Sequence, residues 1–238
     1  MRTILISGAS RGIGLNIAHK ELKEGNRISV GIRDLESLKG STIDPKKWPE
    51  GKIIINHYDA LKKITAENWI KNTEDKFGGF DTIINCSGVL SKVPFLFKDG
   101  DEEDILNTLN INFLAIWNLC RLSWSHLCTS GRGRIIVLVS MSGKRSKGDL
   151  AAYSSSKFAL MGLCQTMKNK GWDKNIRVSA ICPSWVNTKM AQNISSLDKS
   201  SMTHPEDIAE ICSTILKLPT QSVPFEIALN CNYEINLN

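Results

Sequence analysis

No run of about 20 consecutive apolar residues, the length a membrane-crossing helix needs, occurs in the chain. The densest apolar stretch, Ile135 to Val139, has the length of a strand. The start, Met1-Arg2-Thr3, leads straight into apolar sequence without a signal or transit pattern. The expectation is a cytoplasmic protein with no membrane partner. The seven cysteines (Cys86, Cys120, Cys128, Cys164, Cys182, Cys212, Cys231) are odd in number and contain no CxxC pair. Neither a disulfide framework nor a zinc site is suggested, and buried thiols in a reducing compartment are expected. The four histidines (His19, His57, His126, His204) are scattered without metal-ligand spacing, so no metal is expected. A basic block is also missing. Lys and Arg exceed Asp and Glu by 30 to 24, a net +6, but they are spread along the chain. The nearest thing to a cluster is Lys144, Arg145 and Lys147. Nucleic acid is not an expected partner on that distribution.

What is present is ordinary globular composition, 42% hydrophobic and 23% charged, over 238 residues. Strand-like runs alternate with helical periodicity. Residues 3–7, 27–32, 52–58, 81–85, 134–140, 176–182 and 225–229 read as strands. Residues 12–24, 65–77, 101–128, 151–171 and 205–217 read as helices, with a short one at 35–39. Thr65 is placed to cap the second helix, and Gly78-Gly79 to end it. Asp101, Glu102, Glu103 and Asp104 open the third, where carboxylates favour the helix dipole; a helix start is read there, not a metal site. Alternation of this kind implies right-handed crossovers and a parallel sheet covered on both faces. No linker, repeat or low-complexity segment interrupts it. The expected fold is α/β: one Rossmann-type, doubly wound parallel sheet forming a single domain over residues 1–238. Such sheets bind ligands at the carboxyl ends of their strands.

The first strand–turn–helix reads Ser7-Gly8-Ala9-Ser10-Arg11-Gly12-Ile13-Gly14. A glycine turn lets backbone N–H groups approach a pyrophosphate, and the following helix presents its free N–H groups to the same anion. The second strand ends at Ile32, followed by Arg33 and Asp34. In dinucleotide folds a carboxylate at that strand end binds the ribose 2′-OH of NAD. Here Arg33, with Arg11 in the glycine turn, is placed to pair with a 2′-phosphate, so NADP(H) is the expected cofactor. Asp34 reads as the cap of the short helix; if the strand ends one position later it becomes the acidic residue that favours NAD.

Ser140 ends the fifth strand, and Tyr153 and Lys157 lie four residues apart on one helical face. A tyrosine needs a neighbouring cation to serve as acid or base near neutral pH, because its ordinary pKa is about 10. Lys157 is placed to be that cation and Ser140 to hold a substrate oxygen. A Tyr-x-x-x-Lys pair also occurs on many helix surfaces without a role.

Taken in order, these motifs resemble the short-chain dehydrogenase/reductase family, in its compact single-domain branch, over the whole length. The glycine motif appears with Ser7 for Thr. Asp59 matches the family aspartate near the adenine ring. Asn85-Cys86-Ser87-Gly88 is a changed NNAG motif, and Asn112 matches the catalytic asparagine. Ser140, Tyr153 and Lys157 match the catalytic Ser and the YxxxK pair. Pro183-Ser184-Trp185-Val186-Asn187-Thr188 matches PGxVxT, with Ser184 for Gly. The resemblance implies hydride transfer between nicotinamide and a carbonyl or alcohol, with Tyr153 as proton donor or acceptor. Ser140 would hold the oxygen, and Lys157 would bind the nicotinamide ribose and lower the Tyr153 pKa. Asn112 would place a relay water. Thr188 and the backbone near Val186 would hold the carboxamide. The cofactor set it implies is Gly8, Ser10, Arg11, Gly12, Ile13, Gly14, Arg33, Asp59, Asn85, Ser87, Gly88, Tyr153, Lys157, Pro183, Val186 and Thr188. It also implies a homodimer or homotetramer, with helices 104–128 and 151–171 as the usual dimer face. Val223 to Leu229 lacks the family's glycine-rich last strand, which puts tetramer packing there in doubt.

A small-molecule carbonyl or alcohol is the expected substrate, in a cleft walled by 188–203, 90–97 and 143–150. Met190, Ile194, Leu197 and Met202 supply apolar groups, and Trp185 is either a cap or a packed residue. Lys144, Arg145, Lys147 and Lys189 either receive an anionic substrate or form a solvated face. A non-catalytic NADP-binding regulator is the alternative in another class, which the intact Asn112, Ser140, Tyr153 and Lys157 set disfavours.

Overall fold

A computed structural model describes residues 1–146, 148–192 and 197–231. Seven strands, β1 (Thr3–Ser7), β2 (Arg27–Ile32), β3 (Ile53–His57), β4 (Thr82–Asn85), β5 (Arg134–Leu138), β6 (Arg177–Pro183) and β7 (Glu226–Leu229), form one sheet. Its order is β3-β2-β1-β4-β5-β6-β7, with every neighbouring pair parallel. This is the expected Rossmann-type arrangement.

The strand sequences explain why both faces are covered. Successive side chains point to opposite faces. In β1, Leu5 joins one buried cluster while Ile4 and Ile6 join the other. The Leu5 face packs against Trp69 of α2 (Lys63–Phe77), Leu119 of α4 (Ala115–Thr129) and Leu160 of α5 (Ala151–Gly171). The Ile4 face packs against Ile17 of α1 (Gly12–Lys23) and Ile208 of α7 (Pro205–Lys217).

Three local outcomes differ from the sequence pattern. Thr65 sits inside the first turn of α2, not at its cap. Its Oγ1 donates toward Asp59 O and Lys62 O and accepts the Asp59 N–H, so it stitches the loop after β3 to the helix. The expected continuous helix from 101 to 128 is α3 (Glu102–Leu109), a π-helical turn at Asn110–Leu114, and then α4. The acidic start of α3 caps its own approach: Asp101 accepts Lys98 N–H, Glu102 accepts Gly100 N–H, and Asp104 accepts the Ser91 hydroxyl. Those bonds engage Asp101, Glu102 and Asp104 with the backbone and a hydroxyl at the start of the helix. The third difference is a short helix, α6 (Lys189–Gln192), in the expected substrate loop. Ile194 and Lys147 lie outside the described residues.

Candidate active site

The sheet order reverses direction between β1 and β4, the switch point at whose carboxyl ends such sheets hold their ligands. Two backbones approach closely there. A Cβ on Gly8, which has φ +70°, would lie 2.7 Å from Ser87 N, and one on Gly14 would lie 2.5 Å from Gly8 O. Only glycine satisfies both positions. The Cys86 and Ser87 N–H groups donate to Ser7 Oγ at 3.3 and 3.4 Å, which ties the two turns together. Arg11 precedes α1 in extended conformation and is exposed, so the first N–H groups of α1, from Gly12, Ile13 and Gly14, follow a bare turn beside partly exposed Ser10. This cradle and helix start fit a dinucleotide pyrophosphate.

The other expected cofactor residues stand along the same edge. β2 ends at Ile32, and Arg33 and Asp34 are exposed beyond it. Asp34 Oδ1 accepts the Glu36 N–H at 3.0 Å, so it caps the short 3-10 helix Leu35–Leu38 as its position implied. Asp59 Oδ1 accepts the Leu61 N–H at 3.1 Å. Asn85 turns its side chain inward, with Nδ2 on Cys120 Sγ at 3.5 Å. Beyond Pro183, Val186 bridges to Thr203, and Thr188 comes close to the glycine turn: a Cβ on Gly12 would lie 3.3 Å from Thr188 Cγ2.

The polar cluster sits between the ends of β4 and β5 and the first turns of α5. Ser140 has φ 139°, a strained value for a residue with a side chain. Its Oγ accepts the Ser142 N–H at 3.1 Å, which opens the 3-10 turn Met141–Gly143. Burial raises the Tyr153 pKa and the nearby Ser140 side chain partly offsets this, so the phenol holds its proton. Lys157 Nζ lies 5.7 Å from the centre of the Tyr153 ring and donates to Leu138 O at 3.0 Å. Burial pushes Lys157 down to about 8, against weaker upward effects from Cys164, Cys182 and Cys86. The thiols stay neutral, because burial lifts Cys86 and Cys120 to about 12 and Cys182 to about 11. Asn112 occupies the π turn, fully buried, and its side chain pairs with both polar backbone atoms of Val89. Turns of this kind recur at functional sites.

Two residues of the cluster escaped sequence reasoning. Gly143 lies where a Cβ would meet Lys157 O and Val139 Cγ1, each at 2.7 Å, so the turn carrying Ser140 presses on α5. Ser156 hydrogen-bonds Asn112 Nδ2 at 3.0 Å. Its only signal was its place beside Lys157. Among the expected substrate residues, Lys144 is paired with Glu226, Met202 is buried, and Met190 is exposed. Trp185 is half-buried.

A parallel sheet with a glycine turn at its switch point and a Ser, Tyr and Lys beside it has the form of a dinucleotide-binding fold of the Rossmann class. The chain belongs to the short chain dehydrogenase family, whose model matches residues 2–199. It is 33% identical to an agropine synthesis reductase of Rhizobium rhizogenes over 219 residues, 92% of this chain and 50% of the relative. The chain therefore spans about half the length of that relative. It is 25% identical to an acetoacetyl-CoA reductase of Allochromatium vinosum, with 87% and 88% of the two chains covered. In fold it is similar to an alcohol dehydrogenase from Thermococcus sibiricus complexed with 5-hydroxy-NADP, with a TM-score of 0.85, 24% identity and 100% of both chains covered. Among the described residues no helix is long and apolar enough to cross a membrane, and no group of three or more candidate metal ligands occurs.

Proposed function

We propose that this chain is an NADP(H)-dependent oxidoreductase acting on a small carbonyl or alcohol compound, with Tyr153 as general acid and base. The observation that carries the reading is the buried pair in which Lys157 Nζ stands 5.7 Å from the centre of the Tyr153 ring, with Ser140 near enough to draw the phenol's pKa down. A nicotinamide dinucleotide supplies the hydride when bound. Gly8, Ser10, Arg11, Gly12, Ile13 and Gly14 would hold its pyrophosphate, with Asp59, Ser87, Gly88, Pro183, Val186 and Thr188 along the same edge. Asn85 would contribute through its backbone, since its side chain faces Cys120. Tyr153, protonated through burial, donates its proton to the oxygen of a carbonyl under reduction and takes it back in the reverse direction. Ser140 holds that oxygen in place, Lys157 steadies the phenolate left behind, and Asn112 braces the segment beside it.

NADP(H) over NAD(H) rests on exposed Arg11 and Arg33 and on an Asp34 carboxylate already engaged as a cap. The 5-hydroxy-NADP complex of the archaeal enzyme and an NADP complex of a Burkholderia cenocepacia short chain dehydrogenase, similar in fold, agree with it. The relatives named as reductases favour the reducing direction. The reading extends to a single cytoplasmic domain that self-associates. Leu114, Trp117 and Phe158, each nearly half exposed, leave apolar surface on the outer side of the π turn, α4 and α5.

The test compares NADPH and NADH binding to the wild type and to Arg33→Ala, then follows NADPH absorbance with a panel of carbonyl compounds. The wild type should bind NADPH more tightly by about tenfold or more, and Arg33→Ala should erase most of that difference, as loss of a charge-assisted pair implies. Tyr153→Phe should bind NADPH normally and lose turnover by about a hundredfold or more. Unchanged cofactor preference in Arg33→Ala overturns the NADP assignment, and undiminished turnover in Tyr153→Phe overturns the mechanism.

A further inference from the structure

Asn112 is held from two sides. Its Oδ1 accepts the Val89 N–H at 2.9 Å and its Nδ2 donates to Val89 O at 2.9 Å, so the amide is locked in register with the segment that follows β4. The second Nδ2 proton goes to Ser156 Oγ at 3.0 Å. Ser156 is fully buried, and its own proton goes to Tyr153 O at 2.7 Å. With that proton committed, the hydroxyl offers only lone pairs to Asn112, which must present its NH2 end. Oδ1 is left toward Gly88, where Lys157 also points. A Cβ on Gly88 would lie 3.3 Å from Asn112 Oδ1 and 3.9 Å from Lys157 Nζ. The bare Cα of Gly88 thus lets the amide oxygen and the ammonium both come close to the same backbone position.

We propose that Ser156 is a positioning residue that clamps the Asn112 amide to the turn of α5 carrying Tyr153 and Lys157, holding its oxygen toward the Lys157 ammonium. It rests on the acid–base reading of Tyr153 and Lys157. Without the hydroxyl, one amide N–H is buried without a partner, and the amide stays with Val89 while α5 is free to draw away. The other titratable groups acting on Lys157 are the thiols of Cys86 after β4, Cys164 on α5 and Cys182 on β6. All three are neutral near pH 7, so a dipole fixed beside the ammonium has few competitors.

Burial holds the Lys157 ammonium down to about 8 in the folded chain, so the rise of stability with pH that begins there reads its proton. Denaturant midpoints followed through that pH region should show the rise in the wild type, and Lys157→Met should abolish it. Without the fixed amide oxygen beside it the ammonium should lose its proton more readily, so Ser156→Ala should move the onset down by about half a unit, and should add nothing in an Asn112→Ala background. Undiminished turnover in Tyr153→Phe sinks the acid–base reading whatever the onset does. A rise that Lys157→Met abolishes and Ser156→Ala leaves in place sinks the clamp alone. An equal shift from Ser156→Ala with and without Asn112 assigns the effect to packing and overturns the clamp. Should the alanine variant fold poorly, Ser156→Cys, of similar size but a weak acceptor, is read by the same criteria.

Discussion

At Lys157, charge and burial oppose one another. The side chain is 4% exposed, and desolvation pushes its pKa from the usual lysine range down to about 8. The cation therefore costs folding free energy wherever it is charged in the native state. Below about pH 8 both the folded and unfolded chains carry this proton, and the cost is present in full. Between about 8 and the ordinary lysine value near 10.4 the folded chain has released the proton while the unfolded chain still holds it, so stability rises with pH across that window. Lys157→Met removes the charge and keeps most of the stem. It also leaves Leu138 O without its donor. The expected net gain is about 1–2 kcal/mol at pH 7, shrinking as pH rises through 8 toward 10. Denaturant midpoints at pH 7 and pH 10 check both parts, and a gain that does not shrink with pH contradicts the burial argument. A residue that destabilises the fold at neutral pH while completing a polar cluster is the usual trade between stability and function.

Among elements, the 3-10 turn Met141–Gly143 carries the finest constraint. Gly143 packs its bare Cα against the carbonyl of Lys157, so the turn that presents Ser140 and the helix that presents Tyr153 are in backbone contact. Gly143→Ala must move one away from the other, because a carbonyl cannot yield as a flexible side chain would. The expected cost is about 1–3 kcal/mol of stability. A displacement of about 1 Å between Ser140 and Tyr153 should lower turnover by about a hundredfold while NADPH binding changes little. Comparing cofactor affinity with turnover separates this from general damage; wild-type turnover would show that the contact does not set the cluster. None of this was legible in the sequence. Helix and strand periodicity located β1, β2, α5 and α7 to the residue, because each is a continuous pattern with clear limits, such as Pro205 opening α7. The placement of Tyr153 and Lys157 on one face of α5 was legible for the same reason. The π turn was not, since an unbroken apolar pattern from α3 into α4 looks the same with one residue inserted into the helical ladder. Nor was the inward side chain of Asn85, which depends on the pairing of β4 and not on its composition. Contacts between elements, as at Gly143 and Ser156, leave only a small residue as their trace.

Over the whole molecule the two ends of the sheet divide the work. The carboxyl end holds the glycine turn, the strained Ser140 and the Tyr153–Lys157 pair. The amino end holds arginines. Arg2 Nε donates to Leu216 O, Arg134 to Leu218 O, and Arg177 to Trp172 O and Thr220 O. The carbonyls of Leu216, Leu218 and Trp172 lie at the carboxyl ends of α7 and α5, where the helix dipole is negative and carbonyls lack helical partners. Asp81 carries the carboxylate of that group, pairing with Arg2 at 3.1 Å and Arg132 at 2.6 Å while its own side chain is 8% exposed. Burial, together with Arg2 and Arg177, lowers Arg134 to about 10, a measure of how crowded the cations are. Removing Asp81 leaves Arg2 buried beside Arg134 without its counter-charge, and breaking a buried pair in this way costs about 3–5 kcal/mol. Asp81→Ala should therefore lower stability by at least about 2 kcal/mol, since Arg132 can swing into solvent. Added salt should recover part of the loss, because it screens the remaining repulsion. NADPH affinity, measured well below the melting point, should stay within about twofold of wild type, because distant sites without shared partners act independently. A variant with wild-type stability would show that the helix-end carbonyls alone balance the arginines. A variant with native stability but weakened cofactor binding would show that the two ends of the sheet are coupled through its strands.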